Sequence, residues 1–222
     1  MKNVILTGAS DGLGKAFGEL CVENDMNVIA LCRTKPNYAC DFIKTDLSCE
    51  KAIQSACQQI KEKYSKIDIL VNCAGVMSAQ KLEEVTFEEL DNLMRVNLLA
   101  PIFLTTQLMT LIKQSQTDIL NIGSTCGTKA GYPDQLAYTT SKWGMRGVSY
   151  NLQEELKKYK NRVIQFNVGG MNTRIFAKYT GKEIEHPEEW MDPQEIAKLM
   201  FSLLSLPKQI EISDITINRK NA

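Results

Sequence analysis

Histidine is almost missing from the 222 residues of this chain; His186, beside Pro187 in a polar stretch, is the only one. A Ser-His-Asp triad or a histidine-rich metal site would have to be built almost without imidazole. No metal site is expected, and His186 reads as an ordinary surface residue. Net charge is missing too. Lys plus Arg total 26 and Asp plus Glu total 26, so no electrostatic argument favours a nucleic acid or a membrane surface as partner. Nowhere does the chain hold the roughly 18 uninterrupted apolar residues of a membrane span. Its opening Met1-Lys2-Asn3 leads straight into Val4-Ile5-Leu6, too short an apolar run for a signal peptide. Export and membrane spanning are therefore not expected. The seven cysteines, Cys21, Cys32, Cys40, Cys49, Cys57, Cys73 and Cys126, are odd in number and scattered, with no Cys-x-x-Cys pair. That argues against a disulfide framework or a zinc clip and for a reducing, cytoplasmic compartment.

What is present is ordinary globular composition, with 44% hydrophobic and 23% charged residues, in a length that suits one large domain. Short runs rich in Val and Ile recur at Val4–Leu6, Val28–Leu31, Phe42–Ile43, Ile67–Val71, Ile119–Ile122, Val163–Val168 and Ile210–Ile217. Segments of helical spacing separate most of them, clearest at Leu13–Glu23, Ser48–Lys63, Thr86–Gln114, Asp134–Lys158 and Pro193–Leu206. Buried parallel strands joined by crossover helices give this pattern, so the chain reads as a doubly wound α/β protein. Start signals support two of the helices: Ser48 followed by Glu50 and Lys51, and Asp192 followed by Pro193 at the first helical position. The least regular stretch is Gly169–Met191, and a connection that long in a compact domain is usually functional or mobile.

The first strand runs into Thr7-Gly8-Ala9-Ser10-Asp11-Gly12-Leu13-Gly14. Glycines in a strand-to-helix turn let backbone N–H groups approach a pyrophosphate at the positive end of the helix dipole. A plain tight turn needing positive φ would also call for glycine, and the spacing G-x-x-x-G-x-G departs from the G-x-G-x-x-G fingerprint. After the second strand stands Leu31-Cys32-Arg33-Thr34, with no carboxylate to accept from a ribose 2′-hydroxyl. Arg33 offers a planar fork suited to a 2′-phosphate, and Lys15 is a candidate second cation; a solvated loop arginine is the alternative. Tyr138 and Lys142 lie one helical turn apart, where a nearby cation favours phenolate and lowers the tyrosine pKa. Ser124 follows the fifth strand, at the carboxyl edge where doubly wound sheets bind ligands.

These residues resemble the short-chain dehydrogenase/reductase family over nearly the whole chain. Thr7–Gly14 looks like the family's T-G-x-x-x-G-x-G turn, Asp46-Leu47-Ser48 like its adenine-contacting segment, and Asn72-Cys73-Ala74-Gly75 like N-N-A-G with Cys73 replacing the second Asn. Asn97, Ser124, Tyr138 and Lys142 fall on the family's Asn-Ser-Tyr-Lys tetrad. Gly169-Gly170-Met171-Asn172-Thr173 looks like P-G-x-x-x-T shifted by one place, with Gly169 where the proline usually stands. The resemblance implies a single Rossmann-type domain over residues 1–222, three layers αβα. It implies a nicotinamide cofactor, NADP(H) by the Arg33 argument and NAD(H) second, held by Gly8, Ser10, Gly12, Leu13, Gly14, Arg33, Asp46, Leu47, Asn72, Ala74, Gly75, Tyr138, Lys142, Gly170 and Thr173. Tyr138 is then the acid/base, Lys142 lowers its pKa and holds the nicotinamide ribose, Ser124 orients the substrate oxygen, and Asn97 supports a water path to Lys142. Asn97 also fits an interior helix residue satisfied by backbone.

The implied reaction reduces a small-molecule carbonyl to an alcohol, or the reverse; a nucleotide-binding regulator that keeps the fold without turnover is the alternative. Met77–Ala79, Thr125–Tyr132 and Met171–Met191 would shape the substrate pocket, and they contain no Arg-rich cluster that would identify an acidic ligand. Ketoacyl thioesters (3-oxoacyl reductase-like activity), small hydroxy acids and steroid-like ketones all fit. A homodimer or homotetramer is expected, packed through Asp134–Lys158 and Thr86–Gln114, because Ala137, Ser141, Gly144 and Gly147 beside Trp143 and Met145 would let a second helix approach closely.

Overall fold

The computed structural model describes residues 1–129, 131–182 and 190–220; His186 and its expected surface role lie outside them. Strands β1 (Asn3–Thr7), β2 (Asn27–Cys32), β3 (Asp41–Lys44), β4 (Ile69–Asn72), β5 (Asp118–Ile122), β6 (Val163–Val168) and β7 (Asp214–Ile217) form one parallel sheet in the order β3-β2-β1-β4-β5-β6-β7. Alternate residues of each strand point to opposite faces. Val4 and Leu6 join Phe17, Phe166 and Met200 under α1 (Gly12–Glu23) and α8 (Pro193–Ser205). Ile5 turns the other way, to Ile53, Ile60, Leu104 and Leu156 under α2 (Glu50–Lys63), α4 (Ala100–Gln107) and α6 (Leu136–Leu156). The result is the expected three-layer Rossmann-type sandwich. The order of strand addition reverses between β1 and β4, which opens a crevice at the carboxyl edge of the sheet.

Several sequence expectations change. The helix expected over Thr86–Gln114 starts where it should, with Thr86 Oγ1 accepting from the Glu89 amide (3.2 Å), but it is broken. It divides into α3 (Phe87–Met94), a π turn (Arg95–Leu99), α4, and α5 (Met109–Ser115), which is bent 66° from the preceding segments. In the π turn Ala100 N–H bonds back to Arg95 O, and Pro101 has no N–H to offer the Asn97 carbonyl. Ser48 does not cap α2. It is instead bonded by both amide and hydroxyl to Asp46 Oδ1 (2.9 and 2.8 Å), and the helix begins at Glu50. Asp192 does cap α8, accepting from Gln194 N–H at 2.8 Å. The stretch Gly169–Met191 contains a short helix, α7 (Ile175–Thr180), stopped by Gly181 at φ +70°. The strand expected over Ile210–Ile217 is confined to β7, since Ile210 N–H turns back to Pro207 O (2.9 Å).

The small residues of α6 mostly serve the chain itself. Ala137 and Ser141 are buried, and a Cβ on Gly144 would meet Leu98 at 2.9 Å. Only Gly147 is open, so the close-approach argument for a second helix loses most of its residues; Leu136, Trp143 and Tyr150 are the exposed apolar side chains there. Beneath α6 runs a chain of buried polar groups. Asn72 Nδ2 donates to Asn121 Oδ1 (2.8 Å), Asn121 Nδ2 to Ser149 Oγ (2.9 Å), and Ser149 Oγ to Gln165 Oε1 (2.6 Å). Gln165 Nε2 continues to Asn167 Oδ1 (2.7 Å), and Asn167 Nδ2 to Asp214 Oδ1 (2.9 Å). No single helix among the described residues is long and apolar enough to cross a membrane.

Candidate active site

The crevice is built first by glycine. Gly8 has φ +71°, and a Cβ there would lie 2.8 Å from Ala74 Cα; a Cβ on Gly14 would lie 2.3 Å from Gly8 O. No side chain fits at either place, so β1, the first turn and the loop after β4 close to backbone contact. Thr7 Oγ1 fastens the same junction by accepting the amides of Cys73 (2.9 Å) and Ala74 (3.0 Å). Asp11 caps α1 by accepting Gly12 N–H (2.8 Å). The next amides, Leu13 and Gly14, have no acceptor among the described residues, so the turn keeps N–H donors for an anion at the positive end of the helix dipole. This cradle fits the pyrophosphate of a dinucleotide.

A cleft of about 360 Å³ extends from this turn. Of the residues expected to hold a cofactor, Gly8, Ser10, Gly12, Leu13, Gly14, Arg33, Asp46, Leu47, Ala74, Gly75, Tyr138, Lys142 and Thr173 line it. Two others do not. Asn72 points inward to Asn121, with its Oδ1 buried and unpartnered, because the last residue of β4 still alternates into the sheet's face. Gly170 lines a neighbouring cavity instead. Lys15 is also absent from the cleft and pairs with Glu19 on α1 (3.3 Å). Arg33 remains as the expected cation there; it is exposed and helps hold the Asp46 carboxyl below its ordinary range, after the stronger hydrogen bonds from Ser48.

Lys178 of α7, not anticipated from sequence, pairs with Asp11 at 2.6 Å and brings α7 over the first turn. Burial pushes the Asp11 carboxyl upward, but hydrogen bonds from Lys178 and the Gly12 amide outweigh it and hold the group below its usual range. The glycine in the proline's place has a use. Gly169 N–H donates to Ile217 O (3.0 Å), a bond that proline cannot make, so this turn is held by the sheet ladder.

Of the tetrad, Tyr138 and Lys142 line the cleft, Ser124 lines a cavity beyond it, and Asn97 lines neither. Ser124, just past β5, caps the turn Thr125–Gly127 by accepting the Cys126 amide (3.2 Å), and its hydroxyl shares a cavity wall with the Tyr138 phenol. Lys142, one helical turn along α6, is buried with its Nζ donating to Ile122 O (3.0 Å) and lying 5.7 Å from the Tyr138 ring centroid. Asn97 is spent on structure: Oδ1 accepts from Val76 N (2.8 Å), while Nδ2 donates to Val76 O (2.8 Å) and Ser141 Oγ (3.1 Å). It thereby clips the π turn to the loop after β4 and to α6.

One expectation is reversed. Tyr138 is not lowered by its lysine; burial pushes the phenol up to about 12, with the neighbouring Ser124 hydroxyl opposing only in part. Lys142 is itself brought down to about 8 by burial. Desolvation outweighs pairing here because the ammonium turns to Ile122 O and not to the phenol oxygen.

Beyond Tyr138 and Ser124 opens a second cavity of about 350 Å³, walled by Met77, Ile175, Phe176 and Trp190, with Lys129, Asn218 and Arg219 also on its lining. Trp190 falls within the Met171–Met191 stretch expected to shape the pocket, whereas Arg219 escaped the sequence reading. Arg219 was findable in principle, because a seventh parallel strand must deliver the residues after it to the same carboxyl edge as Ser124.

The sequence profile of the short chain dehydrogenase family matches residues 2–184. An uncharacterized oxidoreductase of Staphylococcus aureus (strain N315) is 26% identical, over 97% of this chain and 96% of its own length. Among solved structures, 4-hydroxyisoleucine dehydrogenase complexed with NADH and succinate matches with a TM-score of 0.84 at 26% identity, covering 97% of each chain. A metagenomic short-chain oxidoreductase in complex with NADP matches with a TM-score of 0.82 at 26% identity, covering 97% of this chain and 96% of that one.

Proposed function

The chain belongs to the short chain dehydrogenase family, and from that premise we propose that it interconverts a small-molecule carbonyl and its alcohol with NADP(H), Tyr138 moving the proton. The observation that carries the reading is that Tyr138 belongs to the walls of both cavities, the one with the glycine cradle and the one beside Ser124. A bound nicotinamide would supply the hydride for reduction and accept it in the reverse direction. The chain supplies the rest. Ser124 holds the substrate oxygen next to the phenol, Tyr138 gives that oxygen its proton as the carbonyl carbon is reduced, and Lys142 keeps a positive charge beneath both. A phenol raised by burial is protonated at neutral pH, as a proton donor must be. Asn97 positions α6 through Ser141, and with it both Tyr138 and Lys142.

The choice of NADP(H) over NAD(H) rests on Arg33 at the cleft and on the lack of a carboxylate beside it; relatives occur with either cofactor. We likewise propose a closed homo-oligomer, supported by the exposed Leu99, Leu136, Trp143 and Tyr150. The deciding experiment follows cofactor oxidation over a panel of 3-oxoacyl thioesters, oxo acids and cyclic ketones, with Tyr138→Phe alongside. Turnover is expected, with a loss of about 10²–10⁴ in kcat in the variant and cofactor affinity within a few-fold. Near-normal kcat in Tyr138→Phe would remove the assignment, and cofactor binding without any turnover would make the protein a regulator.

A further inference from the structure

We propose that the second cavity is built for a substrate bearing a carboxylate, with the anion held by Arg219 and Lys129 while the reacting oxygen meets Ser124 and Tyr138. The proposal rests on the oxidoreductase reading above and names its substrate class.

Charge distribution is the first ground. The chain as a whole is balanced, 26 against 26, yet the charged side chains lining this cavity are Lys129 and Arg219, and no Asp or Glu joins them among the described residues. Neither cation forms a salt bridge to a described residue. Arg219 rests instead on the face of Trp190, 5.4 Å from the ring centroid. A guanidinium stacked on an indole keeps its in-plane N–H fork free and pre-oriented, the geometry that matches a carboxylate with two parallel bonds. Trp190 is itself braced by Phe176, with centroids 5.2 Å apart.

The second ground is room. A Cβ on Gly170 would lie 3.4 Å from the Trp190 ring and 3.5 Å from Arg219 Nε, so a side chain there would crowd the stack. Met77, Val168, Met171, Ile175 and Phe176 give the cavity an apolar side, which strengthens a charge pair beside it, and about 350 Å³ suits a small aliphatic molecule. Exposed Lys129 supplies a second attraction to the same anion.

The test compares 2-, 4- and 5-oxo carboxylic acids with their methyl esters, and reads kcat/KM for each pair. The acid of the best-fitting length is expected to exceed its ester by roughly 10- to 100-fold, chiefly through KM. That ratio should fall to within about threefold in Arg219→Met and recover in part in Arg219→Lys. A second readout needs no turnover. In Trp143→Phe, which leaves Trp190 as the sole indole, butyrate should quench fluorescence at concentrations at least tenfold below butyramide; this titration decides the matter if Arg219→Met fails to fold. Esters turned over as well as acids, or butyramide binding as well as butyrate, would overturn the subsite and leave the oxidoreductase reading standing. Carboxylate-selective quenching with no turnover of any carbonyl compound would do the reverse.

Discussion

The two edges of the sheet treat buried charge in opposite ways. At the amino edge, Asp118 accepts from Arg162 Nε (3.0 Å), Arg162 Nη2 (2.7 Å) and Lys208 Nζ (2.6 Å). Arg162 Nη1 meanwhile donates to the carbonyl of Leu206 (3.0 Å). At the carboxyl edge, among the described residues, Lys142 is buried against one backbone carbonyl, α1 opens on unpaired amides, and Asn72 Oδ1 has no partner. The amino edge is closed on itself; the carboxyl edge is open toward something outside the chain. A buried cation with its carboxylate serves the fold, whereas one without a counter-ion is tolerated where chemistry needs it.

Removing one member of the closed set tests this contrast most severely. Arg162→Met leaves Asp118 buried beside Lys208 alone and should cost about 3–5 kcal/mol, seen as a drop in Tm of about 6–20 °C, with kcat/KM of the folded enzyme unchanged. A Tm shift below about 2 °C would show that the two edges do not differ as described.

Lys142→Met should act in the opposite sense. The folded-state pKa of about 8 lies below the ordinary 10.5, so the unfolded chain binds more protons between those values and stability rises with pH across that window. Below pH 8 the charged lysine burdens the fold by roughly 3 kcal/mol. The variant should therefore be more stable than the parent at pH 7 by up to that amount, with the gain gone near pH 10.5 and turnover lost throughout. Denaturant melts at pH 7, 9 and 10.5 check it.

The smallest expected effect sharpens the comparison at the rim of the cleft. Arg33→Asp should weaken NADPH by roughly 10- to 150-fold, about 1.5–3 kcal/mol, and leave NADH equal or better. The parent's preference should also shrink in high salt, because Arg33 is exposed. Equal kcat/KM for the two cofactors in the parent at low salt would mean that Arg33 makes no such contact.

The order of strands and helices was legible because strand cores such as Val4-Ile5-Leu6 and Val28-Ile29-Ala30-Leu31 are apolar without interruption, and because glycines mark the first turn. The tetrad was legible through register: Ser124, Tyr138 and Lys142 meet once β5 and α6 are placed. What escaped depends on environment. The Thr86–Gln114 stretch reads as one helix although Pro101 lies inside it, and the π turn that buries Asn97 is a tertiary compromise between Val76 and Ser141. The direction of the Tyr138 shift is decided by how much water the pocket excludes, which spacing does not encode. Arg162 and Arg219 look alike in a string of letters; only the fold gives one a carboxylate and the other an indole.

The polar chain from Asn72 to Asp214 acts as a ruler. Grease lets a helix slip along a sheet at little penalty, because apolar contact has no direction. Here α6 is keyed at Arg146, Ser149, Tyr150 and Gln153, each hydrogen-bonded to the side chain or backbone of a particular partner in or beside β6 and β7. A shift of one notch would strand several amides and a carboxylate together, at about 1–3 kcal/mol apiece. The alignment of the phenol at Tyr138 is thus machined from the far end of its own helix, by residues that line neither cavity.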